Sequence, residues 1–301
     1  MAHSPRWRPL SSGSAIGIIS TARAIMQDDI REAISMIQAR GFQVKLGRSI
    51  GVSDDQFAGS DELRANDLKN FLEDQDIEAI LLARGGYGTM RTLNQLSEDV
   101  WQSHHKLIIG YSDVTVLHGW LNTRLGTPSL HATMPVSFTT HSAASVETLL
   151  DSLLGKLPEY RIPAHLKNRD GLAKGVITGG NLSILYSMLG TRWDWDASGM
   201  ILLLEDVDEY LYHIDRMMVA LYSAGKLERL AGVIVGGMTD MHDNAIPFGM
   251  DATSIIASWL PENIPVCMGF PAGHQSDNLA VPFGIEATLE VNSSGGHLYY
   301  S

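Results

Sequence analysis

The sequence has a single cysteine, Cys267, among 301 residues, which excludes an intrachain disulfide. Cys267 lies in the apolar run Ile264–Met268, so we expect a buried structural thiol rather than a nucleophile. Positive charge is also scarce, because 22 Lys and Arg residues face 34 Asp and Glu residues and leave a formal charge of −12. Nucleic-acid backbones are bound by clustered Lys and Arg, so this balance argues against a nucleic-acid partner.

Long hydrophobic runs are absent as well. No stretch approaches the roughly 18 apolar residues of a membrane-spanning helix, and the amino terminus lacks the apolar segment of a secretory signal peptide. We therefore expect a soluble cytoplasmic protein with no membrane partner. Hydrophobic residues still make up 45% of the chain, which is enough for a large core, and the length favours two domains.

Short apolar runs alternate with helical patterns in the first half of the chain. Ile16–Ser20, Ala79–Ala83 and residues 107–110 have the composition of buried strands. Such alternation is typical of βαβ units and predicts a Rossmann-like parallel sheet in an α/β protein. Two of these strands end in turns that contain glycine, Arg84–Gly88 and Gly110–Ser112, at the sheet edge where ligands bind.

The periodicity is lost over residues 155–172, which are rich in proline and charge. We interpret this segment as a connection between an N-terminal α/β domain, residues 1–154, and a C-terminal domain, residues 173–301. The second half mixes strand and helix patterns and has a β-rich tail. It is therefore predicted to form a smaller α+β domain.

Ser112 follows the apolar run 107–110 and precedes a helical pattern over Val114–Leu125. A strand–turn–helix unit of this kind presents a hydroxyl away from its own backbone, as a nucleophile requires. The match to a nucleophile elbow is partial, because Gly110 is present but Val114 occupies the position of the second glycine. On the turn alone, a helix N-cap by Ser112 or Asp113 is the better interpretation.

A serine nucleophile needs a base and a group that orients the base. His274 is the candidate base among eleven histidines, because it lies in a Gly- and Pro-containing loop between two apolar strands. His118 and His213 fall within helical patterns and are expected to be structural. Glu205 follows the buried run 201–204 and is the candidate orienting carboxylate, whereas the acids after it are expected to cap the next helix.

Other motifs admit a ligand-binding interpretation that the sequence does not favour. Gly85-Gly86-Tyr87-Gly88 lacks both the spacing of a dinucleotide-binding loop and the lysine of a P-loop. Asp240-Met241-His242-Asp243 carries metal-compatible side chains without a second histidine at ligand spacing, so we expect a solvated loop. Asn181, after two glycines, is expected to cap a helix. We therefore expect neither a cofactor nor a metal site.

Motifs spread over nearly the whole chain resemble the ordered signature of the murein LD-carboxypeptidases. In chain order they are Ala83–Gly88, Gly110–Asp113, Gly179–Leu182, Leu204–Asp206 with Ile214–Met217, and Gly273–His274. The resemblance implies a class I amidotransferase-like N-terminal domain and a serine peptidase whose reactive residues are split between two domains. It implies Ser112 as the nucleophile, His274 as the base and Glu205 as the residue that orients the base.

The family's usual activity is release of the terminal D-alanine from the L,D-linked tetrapeptide of cytoplasmic muropeptides during wall recycling. The resemblance thus implies a muropeptide substrate, and a homodimer is the family expectation. A related branch cleaves the peptide–nucleotide antibiotic microcin C and confers immunity, which is one alternative function. That activity would require an aromatic-bearing insertion, and the sequence has no evident candidate. A non-catalytic peptide- or nucleotide-binding protein is the second alternative.

In this scheme the backbone N–H groups of Asp113 and of Gly85 or Gly86 form the oxyanion hole. Arg84 is a candidate ligand for the free carboxylate of the substrate, although an ion pair within the protein explains it equally well. Tyr87 is either a substrate contact or a packing residue.

One segment departs from the family pattern. Where the family usually carries Ala-Pro-Ser-Gly after the first strand, this chain has Ser20-Thr21-Ala22-Arg23. The loop should line the same sheet edge as the glycine-containing turns. The departure leaves the catalytic assignment intact and puts the substrate-side wall in doubt.

Overall fold

Strands and helices alternate in the first half of the chain, as the apolar spacing predicts. The structure, a computed structural model, describes residues 7–103 and 106–300. The strands in these ranges are β1 (Ala15–Ile19), β2 (Gln43–Leu46), β3 (Ile77–Leu82), β4 (Leu107–Gly110), β5 (Ser129–His131), β6 (Tyr160–Pro163), β7 (Gly171–Asn181), β8 (Ile201–Val207), β9 (Gly232–Thr239), β10 (Val266–Met268), β11 (Val281–Phe283), β12 (Glu286–Asn292) and β13 (Gly295–Tyr300). The α-helices are α1 (Arg31–Ala39), α2 (Asp61–Glu73), α3 (Thr89–Leu93), α4 (Asp99–Ser103), α5 (Thr115–Trp120), α6 (Ala143–Leu153), α7 (Leu182–Ser187), α8 (Leu211–Ser223) and α9 (Ala252–Trp259).

The first sheet has the strand order β11-β5-β4-β3-β1-β2 in the described part of the chain. Strands β1 to β5 are parallel, and β11 pairs antiparallel with β5 at one edge. The carboxyl ends of parallel strands meet at one sheet edge. The turns after β1, β3 and β4 are therefore brought together, and Ser112 lies in the last of them.

The second sheet has the order β10-β9-β8-β7-β12-β13-β6. Its first four strands are parallel and the remaining pairs are antiparallel, which gives a mixed sheet. Strand β6 lies within the 155–172 segment, where Tyr160 and Ile162 are buried and alternate with exposed residues. Part of that segment is thus an edge strand, too short to produce a clear alternation in the sequence.

The core continues from one sheet to the other. A single apolar cluster includes Ile80 of β3, Leu117 of α5, Leu204 of β8 and Met217 of α8. The loop between β10 and β11 also runs from the second sheet to the first, since its two flanking strands belong to different sheets. This crossing carries residue 274 to the edge where Ser112 lies, and it explains how the C-terminal half reaches the serine.

Several local predictions can be compared with the structure. The helical pattern over Val114–Leu125 is a 3₁₀ turn (Ser112–Val114) followed by α5 and a π-helical segment (Leu121–Leu125). The expected buried thiol is confirmed, because Cys267 is fully buried and burial raises its pKa to about 12. Within the described ranges, no helix is both long enough and apolar enough to cross a membrane.

Candidate active site

Ser112 occupies a strained turn at the end of β4. Gly110 ends the strand, Tyr111 is extended, and Ser112 has a φ of +62°. Positive φ is uncommon for residues other than glycine and is concentrated at functional sites. A Cβ at Gly110 would lie 2.8 Å from Cγ2 of Val114, so the turn requires glycine on the strand side only.

The helix-cap interpretation of this turn is wrong for the helix that follows it. Neither the 3₁₀ turn at Ser112 nor α5 begins with a side-chain capping hydrogen bond. The Asp113 carboxylate instead accepts a hydrogen bond of 2.7 Å from the backbone N–H of Thr89, the first residue of α3. Burial raises the pKa of Asp113, while the hydrogen bonds from Thr89 oppose that rise. Asp113 therefore ties the serine turn to the glycine turn after β3.

The imidazole of His274 lies between Ser112 and Glu205. Its Nε2 is 3.0 Å from the Ser112 hydroxyl, and its Nδ1 is 2.7 Å from Oε2 of Glu205. Because a carboxylate can only accept, Nδ1 donates and the neutral ring keeps an unprotonated Nε2 toward the serine. The structure thus brings together the three residues that the sequence assigned to one reaction.

Charge coupling perturbs both members of the His274–Glu205 pair. Burial would raise the pKa of Glu205, but the charge of His274 and its hydrogen bond outweigh burial and hold the pKa below its ordinary value. For His274 burial would lower the pKa, and the Glu205 charge and hydrogen bond raise it above the ordinary value instead. The carboxylate therefore favours the protonated form of the imidazole.

Glycines bring the backbone close to the Glu205 carboxylate. The pairing of β8 with β9 shifts register between Leu204 and Asp206, so Glu205 lies at an irregularity of the kind that re-aims a side chain. Gly273 has a φ of +104°, and a Cβ there would lie 2.5 Å from Oε2 of Glu205. The same oxygen accepts a hydrogen bond of 3.2 Å from the backbone N–H of His274. The loop around His274 is thus fitted to the carboxylate.

Asp206 does not cap the next helix along the chain, contrary to expectation. Its side chain is buried and accepts hydrogen bonds of 2.9 Å from Nδ2 of Asn181 and 2.8 Å from the N–H of Ser183, at the start of α7. Burial first, and the Glu205 charge second, raise its pKa to about 7. The cap expected of Asn181 is confirmed, since its side chain accepts from the N–H of Ile184.

The backbone N–H groups predicted to form the oxyanion hole lie next to the serine. A Cβ at Gly85 would lie 3.0 Å from Oγ of Ser112, so the glycine backbone packs directly against the serine side chain. Across residues 7–103 and 106–300, no hydrogen bond from the N–H of Gly85, Gly86 or Asp113 is found. These donors therefore remain free for a ligand.

A cleft of about 720 Å³ opens beside Ser112 and is lined by both halves of the chain. Arg84 lines it, and its Nη1 donates to the carbonyl of Ala24 at 3.0 Å. Among the described residues Arg84 has no carboxylate within ion-pair distance, so the ion-pair interpretation is wrong. Burial lowers the pKa of Arg84, and the nearby charge of Arg23 lowers it further. Tyr87 also lines the cleft and is half exposed.

His118 lies beneath the serine turn and has a structural role. His118 is buried; its Nε2 donates to the carbonyl of Gly110 at 2.9 Å, and its Nδ1 accepts from the hydroxyl of Ser129. Burial lowers its pKa to about 3, so the ring is neutral and braces the end of β4. Its structural role is as expected. The sequence reasoning missed Tyr111, whose ring centroid lies 4.9 Å from that of His274 and whose only signal was its place before the serine.

The Asp240–Asp243 loop makes contacts within the protein. Nε2 of His242 lies 2.6 Å from Oδ1 of Asp208, and the Asp243 carboxylate accepts from the N–H of Phe248 at 3.0 Å. In the part of the chain that the structure describes, no group of three or more His, Cys, Asp or Glu side chains could hold a metal ion.

Comparison with known proteins finds relatives that are named as carboxypeptidases. The chain is 32% identical over 296 residues to a probable murein peptide carboxypeptidase of Bacillus subtilis, covering 94% of this chain and 91% of the relative. It is 31% identical to the murein tetrapeptide carboxypeptidase of Pseudomonas aeruginosa, covering 95% of both. The crystal structure of a muramoyltetrapeptide carboxypeptidase from Oxalobacter formigenes superposes with a TM-score of 0.85 at 28% identity, over 95% of this chain and all of that one.

A second kind of relative is an immunity protein. The microcin C7 self-immunity protein MccF of Escherichia coli is 24% identical, over 95% of this chain and 93% of its own length. Family comparison matches residues 16–132 to the LD-carboxypeptidase N-terminal domain and residues 174–289 to the LD-carboxypeptidase C-terminal domain. With both domains matched in order, and with relatives aligned along nearly the full chain, this protein belongs to the LD-carboxypeptidase family of peptidases.

Proposed function

We propose that this protein is a serine-type carboxypeptidase that hydrolyses the L,D-peptide bond to the terminal D-alanine of murein tetrapeptides. The observation that carries the proposal is the continuous contact from Ser112 through His274 to Glu205, with distances of 3.0 and 2.7 Å. The names of the relatives support the substrate class, because two of them are murein peptide carboxypeptidases.

In the proposed acylation step, Nε2 of His274 takes the proton of the Ser112 hydroxyl as Oγ attacks the carbonyl carbon before the terminal D-residue. The tetrahedral oxyanion accepts hydrogen bonds from the N–H groups of Asp113 and of Gly85 or Gly86, each worth roughly 10²–10³ in rate. His274 then gives its proton to the departing amine, which releases D-alanine and leaves an acyl-enzyme. Glu205 stabilises the imidazolium throughout.

Deacylation repeats these roles with water as the nucleophile. His274 takes a proton from the water, the hydroxide attacks the ester carbonyl, and the proton returns to Oγ of Ser112. The enzyme recovers its starting state and the shortened peptide leaves with a new carboxylate. Substrate contacts are proposed for Arg84 and Tyr87, because both side chains line the cleft.

Product analysis by mass spectrometry tests this proposal. The wild-type protein is incubated with a muramoyl tetrapeptide, the corresponding tripeptide and a D,D-linked pentapeptide. We expect loss of one D-alanine from the tetrapeptide only, and a fall of about 10⁶-fold in kcat for Ser112→Ala. Ser223→Ala, at an exposed serine at the end of α8, serves as the control. Full turnover by Ser112→Ala, or cleavage of the pentapeptide alone, would contradict the assignment.

A microcin-type immunity peptidase is the second candidate, favoured by the similarity to MccF over 95% of the chain. The same active site would then cleave a peptide–nucleotide conjugate. Parallel kcat/KM measurements on a tetrapeptide and on an aminoacyl sulfamoyl adenosine decide between the two, since the better substrate identifies the function. Saturable binding of either compound without any product would instead support the non-catalytic alternative.

A homodimer and a cytoplasmic location also remain proposals that rest on the family. Light scattering coupled to size-exclusion chromatography tests the first, with the 32.9 kDa chain mass as the reference for a monomer. Fractionation of cells that express the tagged protein tests the second.

A further inference from the structure

The loop after β1 forms one side of the cleft and carries an unpaired cation. This loop, residues 20–26, contains the segment that departs from the family pattern. Arg23 lines the cleft with Ser112 and is exposed. Among the residues that the structure describes, its guanidinium has no hydrogen-bond or ion-pair partner. The charge is therefore available to a ligand.

The backbone that carries Arg23 is held on several sides. The hydroxyl of Ser20 donates to the carbonyl of Arg23 at 2.7 Å, and the N–H of Ala24 donates to the carbonyl of Gln56 at 2.9 Å. Nη1 of Arg84 donates to the carbonyl of Ala24 at 3.0 Å. The loop is thus fixed from both neighbouring segments, while the Arg23 side chain is left without such restraints.

Two consecutive glycines relate Arg23 to the nucleophile. A Cβ at Gly85 would lie 3.0 Å from Oγ of Ser112, and a Cβ at Gly86 would lie 2.5 Å from Cδ of Arg23. Consecutive Cα atoms are about 3.8 Å apart. The Arg23 side chain therefore packs against the residue next to the one that contacts the serine, and both side chains line the same cleft.

The charged side chains that line the cleft do not neutralise the guanidinium of Arg23. Arg23 lowers the pKa of the partly buried Arg84, after burial itself, and Asp29 opposes the shift. A nearby like charge disfavours the charged form of a group, so an anion bound beside both guanidinium groups relieves this repulsion. Three carboxylates line the cleft too, but each is bonded to another group: Asp206 to Asn181, Asp208 to His242, and Glu209 to His213.

We propose that Arg23 receives the free carboxylate of the substrate's terminal residue and so determines that this enzyme removes a single terminal residue. A guanidinium fork matches a carboxylate in two hydrogen bonds, which a point charge cannot do. The inference rests on the proposed carboxypeptidase function and names the group that enforces it. Arg84, whose Nη1 is bonded to the carbonyl of Ala24, holds the loop and adds charge.

Binding without turnover tests the inference separately from the reaction. In the Ser112→Ala background, calorimetry measures Kd for a muramoyl tetrapeptide and for the same peptide with a C-terminal carboxamide. We expect the acid to bind roughly 10- to 100-fold more tightly than the amide, as hydrogen bonds to charged groups predict. Arg23→Ala should bring this ratio close to one, and Arg23→Lys should restore part of it.

Arg48→Ala is the matched control, because Arg48 is exposed and lies outside the cleft lining, and its substitution removes the same net charge as Arg23→Ala. It should leave the ratio unchanged. An acid-over-amide ratio that survives Arg23→Ala, or that is already one before the substitution, overturns the role of Arg23. Absence of D-alanine release by the protein with Ser112 intact overturns the proposed function instead, and the two failures are read from different measurements.

Discussion

The two sides of the cleft beside Ser112 hold the residues proposed to react by different physical means. On the N-terminal side, Ser112 is positioned by its backbone, with a φ of +62° in a turn packed against Gly85. On the C-terminal side, His274 is positioned by side-chain hydrogen bonding to Glu205, a fully buried carboxylate. The first arrangement costs backbone strain and the second costs the burial of a charge. Variants on the two sides should therefore fail in different ways.

Glu205→Gln should have the largest effect of the variants that keep the serine. We expect kcat to fall by roughly 10⁴-fold, as when an orienting carboxylate of a serine triad becomes an amide and the wrong histidine tautomer is favoured. Only neutral His274 can accept the proton, so wild-type activity is lost as pH falls through the raised pKa of that residue. In Glu205→Gln, burial lowers the pKa of His274 without the opposing charge of Glu205. The acid limb of the pH–activity profile should therefore move to lower pH.

The pH profile of kcat/KM from about pH 5 to 9 provides the measurement. Glu228→Gln, at an exposed residue outside the cleft, is the control for loss of one negative charge. An acid limb that stays in place in Glu205→Gln would show that Glu205 does not control the titration of His274.

Gly273→Ala tests how closely the base side is fitted around its carboxylate. Alanine is strained at a φ of +104°, and its Cβ would lie 2.5 Å from Oε2 of Glu205. A shift of about 1 Å in the His274 loop should lower kcat by about 10²-fold. Gly249→Ala is the matched control, because its φ of +88° imposes the strain while no atom lies within 4 Å of the new Cβ.

Gly249→Ala should lose about 1–2 kcal/mol in the free energy of unfolding, measured by urea titration. Gly273→Ala should lose at least as much, because the contact with Glu205 adds to the strain, and only this variant should lose activity. Equal activity losses at the two positions would mean that contact with Glu205 is not what the glycine protects.

The three residues proposed to react were candidates from local sequence, and the ordered family motifs gave them their roles. Ser112 follows a buried strand, and His274 lies in a loop that glycine and proline interrupt. Glu205 was expected after the buried run 201–204, and the structure places it within β8, at the irregularity in the pairing with β9. Asp206 was assigned wrongly, because a local capping rule cannot detect a partner 25 residues away in the chain. Arg23 was noticed only as a departure from the family pattern, because the packing of its side chain against Gly86 is a tertiary contact that local sequence does not show.

Prediction of the fold from local sequence meets the same limit. The parallel strands of the first sheet were recoverable from local composition, whereas β6 and β11 are only four and three residues long. Each of these strands pairs with a segment more than a hundred residues away along the chain, and local sequence contains no information about such pairing. The transfer of β11 into the first sheet is nevertheless what brings His274 to Ser112.

Asp206→Asn tests the neighbouring carboxylate, whose pKa is shifted in the direction opposite to that of Glu205. Its folded-state pKa of about 7 exceeds the unfolded value of about 4, so between these pH values the unfolded state ionises first. The wild type should therefore lose stability relative to Asp206→Asn as pH rises from 4 to 7, by up to about 4 kcal/mol. Urea titrations at several pH values measure this difference.

Asp251→Asn is the control of opposite sign. Hydrogen bonds with Ser254 and Thr253 lower the pKa of Asp251 to about 2. The contribution of this carboxylate to the free energy of unfolding is therefore present above pH 4 and is lost as pH falls toward 2. A stability difference for Asp206→Asn that stays flat between pH 4 and 7 would show that Asp206 is charged in the folded protein throughout.

The prediction with the smallest expected effect concerns backbone strain at Ser112. Glycine adopts positive φ without steric cost, whereas alanine at φ of +62° does not, so Ser112→Gly should be more stable than Ser112→Ala by up to about 1 kcal/mol. At Ser35, exposed in the middle of α1, the order should reverse, because glycine is the worse helix former by about 1 kcal/mol. Urea unfolding of the four variants measures both differences. If alanine is the more stable residue at both sites, the backbone at Ser112 stores no strain, and the contrast between the two sides reduces to the buried charge of Glu205.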